Sequence, residues 1–293
     1  MPKTIAILSP GDMGHAVGRV LAGAGHEVVT SLDGRSNRTR ALAQSAGIAD
    51  LGSLDEVVDA ADLVLSILVP AEAEALAVSV ASAIRRSGKA TVLADCNAVS
   101  PTTSLRMESA VNGAGGRYID ASIIGPPPGR GNAPRFYTSG PHAAVMQPLD
   151  GAGIAVRDLG PHTGAASAIK MCYAGYTKGT SALSIGVLSL AQRLGVAEEL
   201  DREFSESQAE GLARMEKQIP GLPVKARRWV GEMEEIADTF RAVGLPSGFH
   251  QASAAIYTLM GETAFANETP ETLDRTRDLW QTIAAMDGRP PKR

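Results

Sequence analysis

Apolar and polar positions alternate in short blocks through the first half of the chain. Thr4–Leu8 is a β-rich run, followed by a glycine turn and an amphipathic stretch from about Asp12 to Ala24. Val28–Leu32 predicts the next strand and Arg38–Ala46 the next helix. Leu63–Val69 and Thr91–Ala94 are uninterrupted apolar runs, the pattern of strands covered on both faces, and the alanine-rich segment Glu72–Ile84 between them has helical spacing. Arg117–Ser122, Arg135–Ser139 and Ile154–Leu159 complete the strands. Strands alternating with helices of this length predict a doubly wound parallel sheet. After Gly160 helical periodicity dominates to about Met286, and Thr163–Leu194 reads as one helix of roughly 45 Å. Pro220 and Pro223 break the next segment, Pro246 precedes a helix containing Tyr257, and the tail Arg289–Arg293 is expected to fray. The expected organisation is an α/β domain over 1–160 and an all-α domain over 161–293.

Composition narrows the function classes. Hydrophobic residues are 44% and charged residues 20% of the 293, which excludes wholesale disorder. Aromatics at 4% and 31 glycines favour close helix–sheet packing. A net charge of -4 provides no field for nucleic acid or an anionic membrane surface. The two cysteines, Cys96 and Cys172, cannot build a disulfide framework and are read as buried small apolar residues. His15, His26, His142, His162 and His250 lack metal-site spacing, so no metal is expected. His250 and Tyr257 are read as core residues by default, although they lie on roughly one helix face that could reach a pocket. Met1-Pro2-Lys3 runs straight into an apolar strand, no apolar run is long enough for a bilayer, and a cytoplasmic protein is expected.

Ser9-Pro10-Gly11-Asp12-Met13-Gly14 sits between the first strand and the first helix, with Gly18 one turn on. Glycine in such a turn lets the backbone approach a pyrophosphate, and the helix end supplies free N–H groups. The context is that of a Rossmann-type dinucleotide site, although Ser9 takes the first glycine place of G-x-G-x-x-G. Ser9, Gly11, Asp12, Met13 and Gly14 are therefore cofactor-binding candidates, joined by Val69 at the end of its apolar run. Asp12 is expected to turn its side chain outward from the phosphates. Asp33 lies where a carboxylate would take the ribose hydroxyls of NAD, whereas Arg35, Ser36 and Arg38 lie where donors would hold the 2′-phosphate of NADP. Three donors against one acid favour NADP over NAD.

From these residues onward the chain resembles the β-hydroxyacid dehydrogenases, the family of 3-hydroxyisobutyrate and 6-phosphogluconate dehydrogenases. Four blocks match in order: Gly11–Gly14, Asp95–Pro101, Asp120–Gly125 and Gly160–Lys170. The details look most like a phosphogluconate-dehydrogenase-like branch of largely uncharacterised proteins. The resemblance implies an NAD(P) domain followed by a helical substrate and dimerisation domain, a homodimer, and Lys170 as general acid/base at the carbinol oxygen. Independently, hydride reduction of a carbonyl leaves an alkoxide that a partly desolvated lysine can protonate. Lys178, about 80° away on an ideal helix, could lower the lysine pKa or hold a substrate anion.

The chain departs from the family pattern at three places. The usual asparagine four residues after the lysine is Ala174, with Tyr173 before it either donating a hydroxyl to substrate or packing in the core. The family's Ser-Thr pair reads Asn97-Ala98; Asn97 could contact the nicotinamide or the substrate, or cap the following helix, as Val99 or Ser100 could equally. The substrate-binding Ser-Gly-Gly aligns with Ile124-Gly125-Pro126, which lacks the hydroxyl and one backbone N–H. Arg130, in the following loop, either closes over a substrate or stays an exposed arginine. The expected activity is hydride transfer between nicotinamide and a small hydroxy acid or an alcohol/ketone. Imine reduction on the same framework and non-catalytic NAD(P) binding are the alternatives.

Overall fold

The computed structural model describes residues 2–129 and 131–287; Arg130 and the tail 289–293 lie outside the described residues. The chain divides into two compact units, Met1–Met171 and Cys172–Arg293. The first unit is built on an eight-stranded sheet of β1 (Thr4–Leu8), β2 (Glu27–Thr30), β3 (Ala49–Asp50), β4 (Leu63–Ser66), β5 (Val92–Asp95), β6 (Arg117–Ile124), β7 (Arg135–Ser139) and β8 (Ala155–Asp158). Between them run α1 (Gly14–Gly23), α2 (Asn37–Ser45), α3 (Leu54–Ala60), α4 (Pro70–Ser87) and α5 (Pro101–Asn112). Strand order is β3-β2-β1-β4-β5-β6-β7-β8. It reverses direction at β1, so a crevice opens beyond the carboxyl ends of β1 and β4.

The continuous apolar runs have a direct explanation. Ile5, Ile7, Leu63 and Leu65 pack on one face with Val17, Leu21 and Ala43 of α1 and α2. Ala6, Leu8, Val64 and Leu93 pack on the other with Val57, Ala77, Ile84 and Met107 of α3, α4 and α5. Both faces of each strand are buried, and each full aliphatic side chain so covered contributes about 1.5–3 kcal/mol. Helix ends are encoded locally. Ser36, Ser53 and Ser100 cap α2, α3 and α5 by accepting from Thr39, Glu56 and Thr103 N–H, and α4 starts on Pro70 and stops at Gly88 with φ 71°. Thus Ser100, not Asn97 or Val99, is the cap of α5.

The sheet is not wholly parallel. β7 pairs antiparallel with β6, placing Asp120 opposite Ser139, and β8 then runs parallel to β7. β3 and α3 are additions to the sequence-derived series.

Helix α6 (Ala165–Leu194) begins in the first unit and continues into the second. The second unit otherwise holds α7 (Ala197–Ser207), α8 (Ala209–Gln218), α9 (Pro223–Ala242), α10 (Gly248–Gly261) and α11 (Leu279–Ala285). None of the described helices is long and apolar enough to cross a membrane.

Candidate active site

Beyond β1 the chain enters the glycine turn. Ser9 takes up φ 61°, a left-handed conformation that glycine normally supplies, and Gly11 N–H donates to Ser9 O at 2.7 Å. A Cβ on Gly14 would stand 3.1 Å from both Ile7 Cγ2 and Ser9 O, so only glycine lets α1 start this close to the strand. Gly18 allows the same helix to approach Ile48, whose Cδ1 would be 2.6 Å from an added Cβ. Unlike α2, α3 and α5, α1 has no side-chain cap, and the buried Ser9 Oγ has no partner. Uncommitted N–H groups and an orphaned hydroxyl around a glycine turn fit a pyrophosphate.

Asp12 is exposed at this turn, and Arg38 Nη2 lies 2.6 Å from its Oδ1. The guanidinium offsets the negative charge that Asp12 would set against a phosphate. Asp33 and Arg35 are exposed in the segment after β2, while Ser36 Oγ accepts from Thr39 N–H at 3.3 Å. Met13 is half-buried and Val69 is exposed at the start of α4.

A polar row crosses the sheet at the carboxyl ends of β4, β5 and β7 and the middle of β6. Ser66 is in register with Asp95, Asp95 with Asp120, and Asp120 with Ser139, all buried. Asn97 is committed inside this row. Its Nδ2 donates to Asp95 Oδ1 at 2.6 Å and to Ser66 Oγ at 2.8 Å, and its Oδ1 accepts from Leu68 N–H at 2.6 Å. The side chain thereby ties the end of β4 to the end of β5.

Burial pushes the Asp95 carboxyl up to about 7, against the hydrogen bonds from Ser66 and Asn97, with the neighbouring Asp120 charge adding to the rise. The folded chain therefore binds this proton more tightly than the unfolded chain. The resulting stability is complete below the ordinary value of 3.8 and is lost as pH rises through about 7. Asp95→Asn cannot titrate, so the fall in urea-unfolding free energy between pH 5 and pH 8 should shrink in the variant, by up to about 2.5 kcal/mol. The acceptor lost to Asn97 N–H adds only a pH-independent offset. Identical pH slopes in the two proteins would exclude this account.

Cys96 is buried, and burial pushes its thiol well above the ordinary range, which removes it as a nucleophile. Cys172 corrects the sequence reading: it is exposed, because on α6 it falls between the buried positions Met171 and Ala174.

On β6, Ile124 is buried, and Gly125 adopts φ 127° with an added Cβ only 3.3 Å from Pro134 Cα. Lys170, half-buried on the second turn of α6, donates from Nζ to the Ile123 carbonyl at 2.7 Å. The lysine and the Ile124-Gly125-Pro126 segment, far apart in sequence, are adjacent through this bond.

The remaining candidates belong to the second unit. Tyr173 is exposed, which removes the core-packing alternative. Lys178 forms a buried ion pair with Glu232, lies 5.0 Å from the centroid of the Trp229 ring, and its carbonyl accepts from Tyr257 Oη at 2.7 Å. Tyr257 and His250 are buried, His250 against Phe240 and Phe249 with its Nδ1 unpartnered.

Asp95, Asp120, Ser139, Ser167 and Glu232 were not selected from sequence. Asp95 and Asp120 did carry a signal, since each places an acid inside or at the end of an apolar strand run. No group of three or more metal-binding side chains occurs among the described residues.

Two family models match the chain: the NAD binding domain of 6-phosphogluconate dehydrogenase over residues 4–149, and a domain of unknown function, DUF1932, over residues 191–260. The chain belongs to the β-hydroxyacid dehydrogenase family. An uncharacterized 28.5 kDa protein of the 7S RNA 5′ region of Methanothermus fervidus is 26% identical over 211 residues, covering 72% of this chain and 80% of its own. The 3-hydroxyisobutyrate dehydrogenase of Mycobacterium tuberculosis, solved with L-serine, shares the fold with a TM-score of 0.68 at 19% identity, over 98% of this chain and 99% of that one. The Bacillus cereus imine reductase shares it with a TM-score of 0.55 at 15% identity, over 98% and 99%. As a family member, this β-hydroxyacid dehydrogenase homologue is a nicotinamide-dependent oxidoreductase.

Proposed function

We propose that the protein is an NADP-preferring oxidoreductase that interconverts an alcohol, or small hydroxy acid, and its ketone, with Lys170 as proton donor and acceptor. The observation that carries this reading is the half-buried Lys170 Nζ held 2.7 Å from the Ile123 carbonyl, beside the segment that aligns with the family's substrate loop. The bound cofactor supplies the hydride. In reduction, Lys170 delivers the proton to the oxygen that becomes the hydroxyl; in oxidation it receives that proton.

The Ser9–Gly14 turn would hold the pyrophosphate on backbone N–H groups, with Val69 and Asn97 on the same strand-end rim. Arg35, Ser36 and Arg38 would hold a 2′-phosphate, and the pairing of Arg38 with Asp12 reduces the repulsion an additional phosphate would meet. Ile124 and Pro126 remove a hydroxyl and an N–H from the family's carboxylate cradle, which favours a less anionic substrate than a simple β-hydroxycarboxylate. Tyr173 is retained as a hydroxyl donor to substrate. Lys178, paired to Glu232, supports the helical unit rather than offering a second anion site.

The test is nicotinamide absorbance turnover, with NADPH and NADH separately, against keto acids, semialdehydes, neutral ketones and cyclic imines. Consumption with a carbonyl class, faster with NADPH, is expected. Turnover of imines alone would transfer the protein to imine reduction, and cofactor binding without turnover of any class would favour a binding module.

We also propose that a second copy of the chain covers α6. Tyr176, Thr180, Leu183, Val187, Leu190 and Leu194 are exposed at alternating spacings of four and three, the spacing of a two-helix seam. Sedimentation should give twice the chain mass for the wild type, and the chain mass for a Leu183→Glu/Leu190→Glu variant. A wild-type monomer at micromolar concentration would dismiss the seam.

A further inference from the structure

Among the described residues of the first unit, Asp120 is the carboxylate with the most hydrogen bonds. Its Oδ1 accepts from Ser104 Oγ at 3.0 Å and Ser167 Oγ at 2.6 Å. Its Oδ2 accepts from Ser139 Oγ at 2.8 Å, Gly164 N at 2.9 Å and Ser167 N at 3.1 Å. Five donors on one buried group exceed what a structural carboxylate needs for satisfaction. Three of the five come from the start of the helix that carries Lys170.

We propose that Asp120 is a positioning residue for Lys170; the proposal rests on the reading of that lysine as the proton donor. The first N–H groups of α6 have no acceptor within their own helix, and the carboxylate supplies one from the neighbouring strand, with its charge at the positive end of the helix dipole. Two further bonds join the same strand to the same turns. Ser122 Oγ donates to Ala166 O at 2.7 Å, and Lys170 Nζ donates to Ile123 O at 2.7 Å. Residues 120, 122 and 123 of β6 are thus fastened in order to residues 164–167, 166 and 170 of α6.

Each fastening sets one coordinate of the lysine. The Asp120 bonds fix the height and rotation of the helix, since a one-residue slip turns it by about 100°. The Ile123 bond then selects where the flexible four-carbon stem ends. Gly164, at φ 103° and with an added Cβ 3.3 Å from Pro101 Cβ, gives the entry turn the shape that brings its N–H onto Asp120. An asparagine at 120 can keep the Gly164 and Ser167 backbone bonds only by turning its amide nitrogen to the Ser104 and Ser167 hydroxyls, so the neutral isostere loses the charge at the helix end and reverses those two bonds.

The test reads the lysine without requiring a substrate. Limited acetylation of the intact protein with acetic anhydride over a pH series, read by peptide mass spectrometry, gives the reactivity of Lys170 relative to exposed Lys217. In the wild type Lys170 should react several-fold more slowly than Lys217. In Asp120→Asn its relative reactivity should rise at least about threefold, kcat should fall about 10²-fold, and the NADP+ Kd should stay within about twofold. Ser167→Ala, which deletes one side-chain donor and leaves the backbone bonds, should move Lys170 in the same direction to a smaller extent; it decides the matter if Asp120→Asn fails to fold. Unchanged relative acetylation of Lys170 in the folded variants overturns the proposal, whatever their Tm. A Lys170→Met enzyme that retains turnover would instead overturn the proton-donor reading, and the acetylation result would still show whether Asp120 sets the lysine.

Discussion

Lys170→Met is expected to lower turnover by about 10²–10⁴-fold, the usual worth of a positioned general acid, while leaving the NADP+ Kd nearly unchanged. Methionine keeps the unbranched stem and removes the ammonium, so the helix can pack as before. The elements proposed to hold the cofactor lie at the ends of β1, β2, β4 and β5, whereas Lys170 stands on α6 with its Nζ on the Ile123 carbonyl of β6. Loss should therefore appear in kcat and kcat/KM together, the signature of an interaction made in the transition state. Single-turnover absorbance with saturating NADPH, and fluorescence titration of the cofactor, would separate the two quantities. Activity within about threefold of wild type would remove Lys170 from the mechanism. In Lys170→Ala, which empties the space of the stem, exogenous small amines restoring part of the rate would confirm that an ammonium at that place is what was lost.

Glu232→Gln should destabilise the helical unit by about 3–5 kcal/mol, the cost of stranding one partner of a buried ion pair. Both side chains are largely shielded, Lys178 at 12% and Glu232 at 7% exposure. Arg228 adds a second cation 3.7 Å from the same carboxylate, so removing the anion takes a shared partner from both, with Lys178 packed over Trp229. Lys178→Met combined with Glu232→Leu eliminates both buried charges and should recover most of the loss. Urea unfolding followed by tryptophan fluorescence measures both, since Trp229 lies against the pair and reports its environment directly. A loss below about 1 kcal/mol for Glu232→Gln would mean that water reaches the pair and that Lys178 is available to an external anion after all.

What could be read from the chain depended on the range of the interaction. The strands β1, β4 and β5 announce themselves because both faces are buried, and the glycine turn because its geometry is set within six residues. The exposed two-residue β3 has no pattern to announce. The α3 helix carries a capping box of Ser53 and Glu56, but its seven residues give too little periodicity to mark a helix. Nothing local marks β7 as antiparallel; its direction follows from pairing with β6. The same distinction separates the site residues. Lys170 stands in a recognisable block, whereas the partners of Asp120 come from residues 104, 139, 164 and 167, and the partner of Lys178 comes from residue 232. Asn97 was open to three roles in sequence, and its fixed bonds to Ser66, Asp95 and Leu68 favour a fourth: a clamp between strand ends.

The two borders of the sheet bear on how the protein behaves when crowded. At one, β3 is only two residues long, and Asp50 Oδ1 takes the N–H groups of Leu32 and Gly52. At the other, Asp150 Oδ1 accepts from Val156 N–H within β8, and Arg157 and Asp158 stand exposed beside it. Neither border offers a long row of vacant backbone donors to a neighbouring chain, and the charges on the β8 side penalise an approaching strand. Amyloid-like stacking through this sheet is thereby disfavoured at the concentrations reached during synthesis.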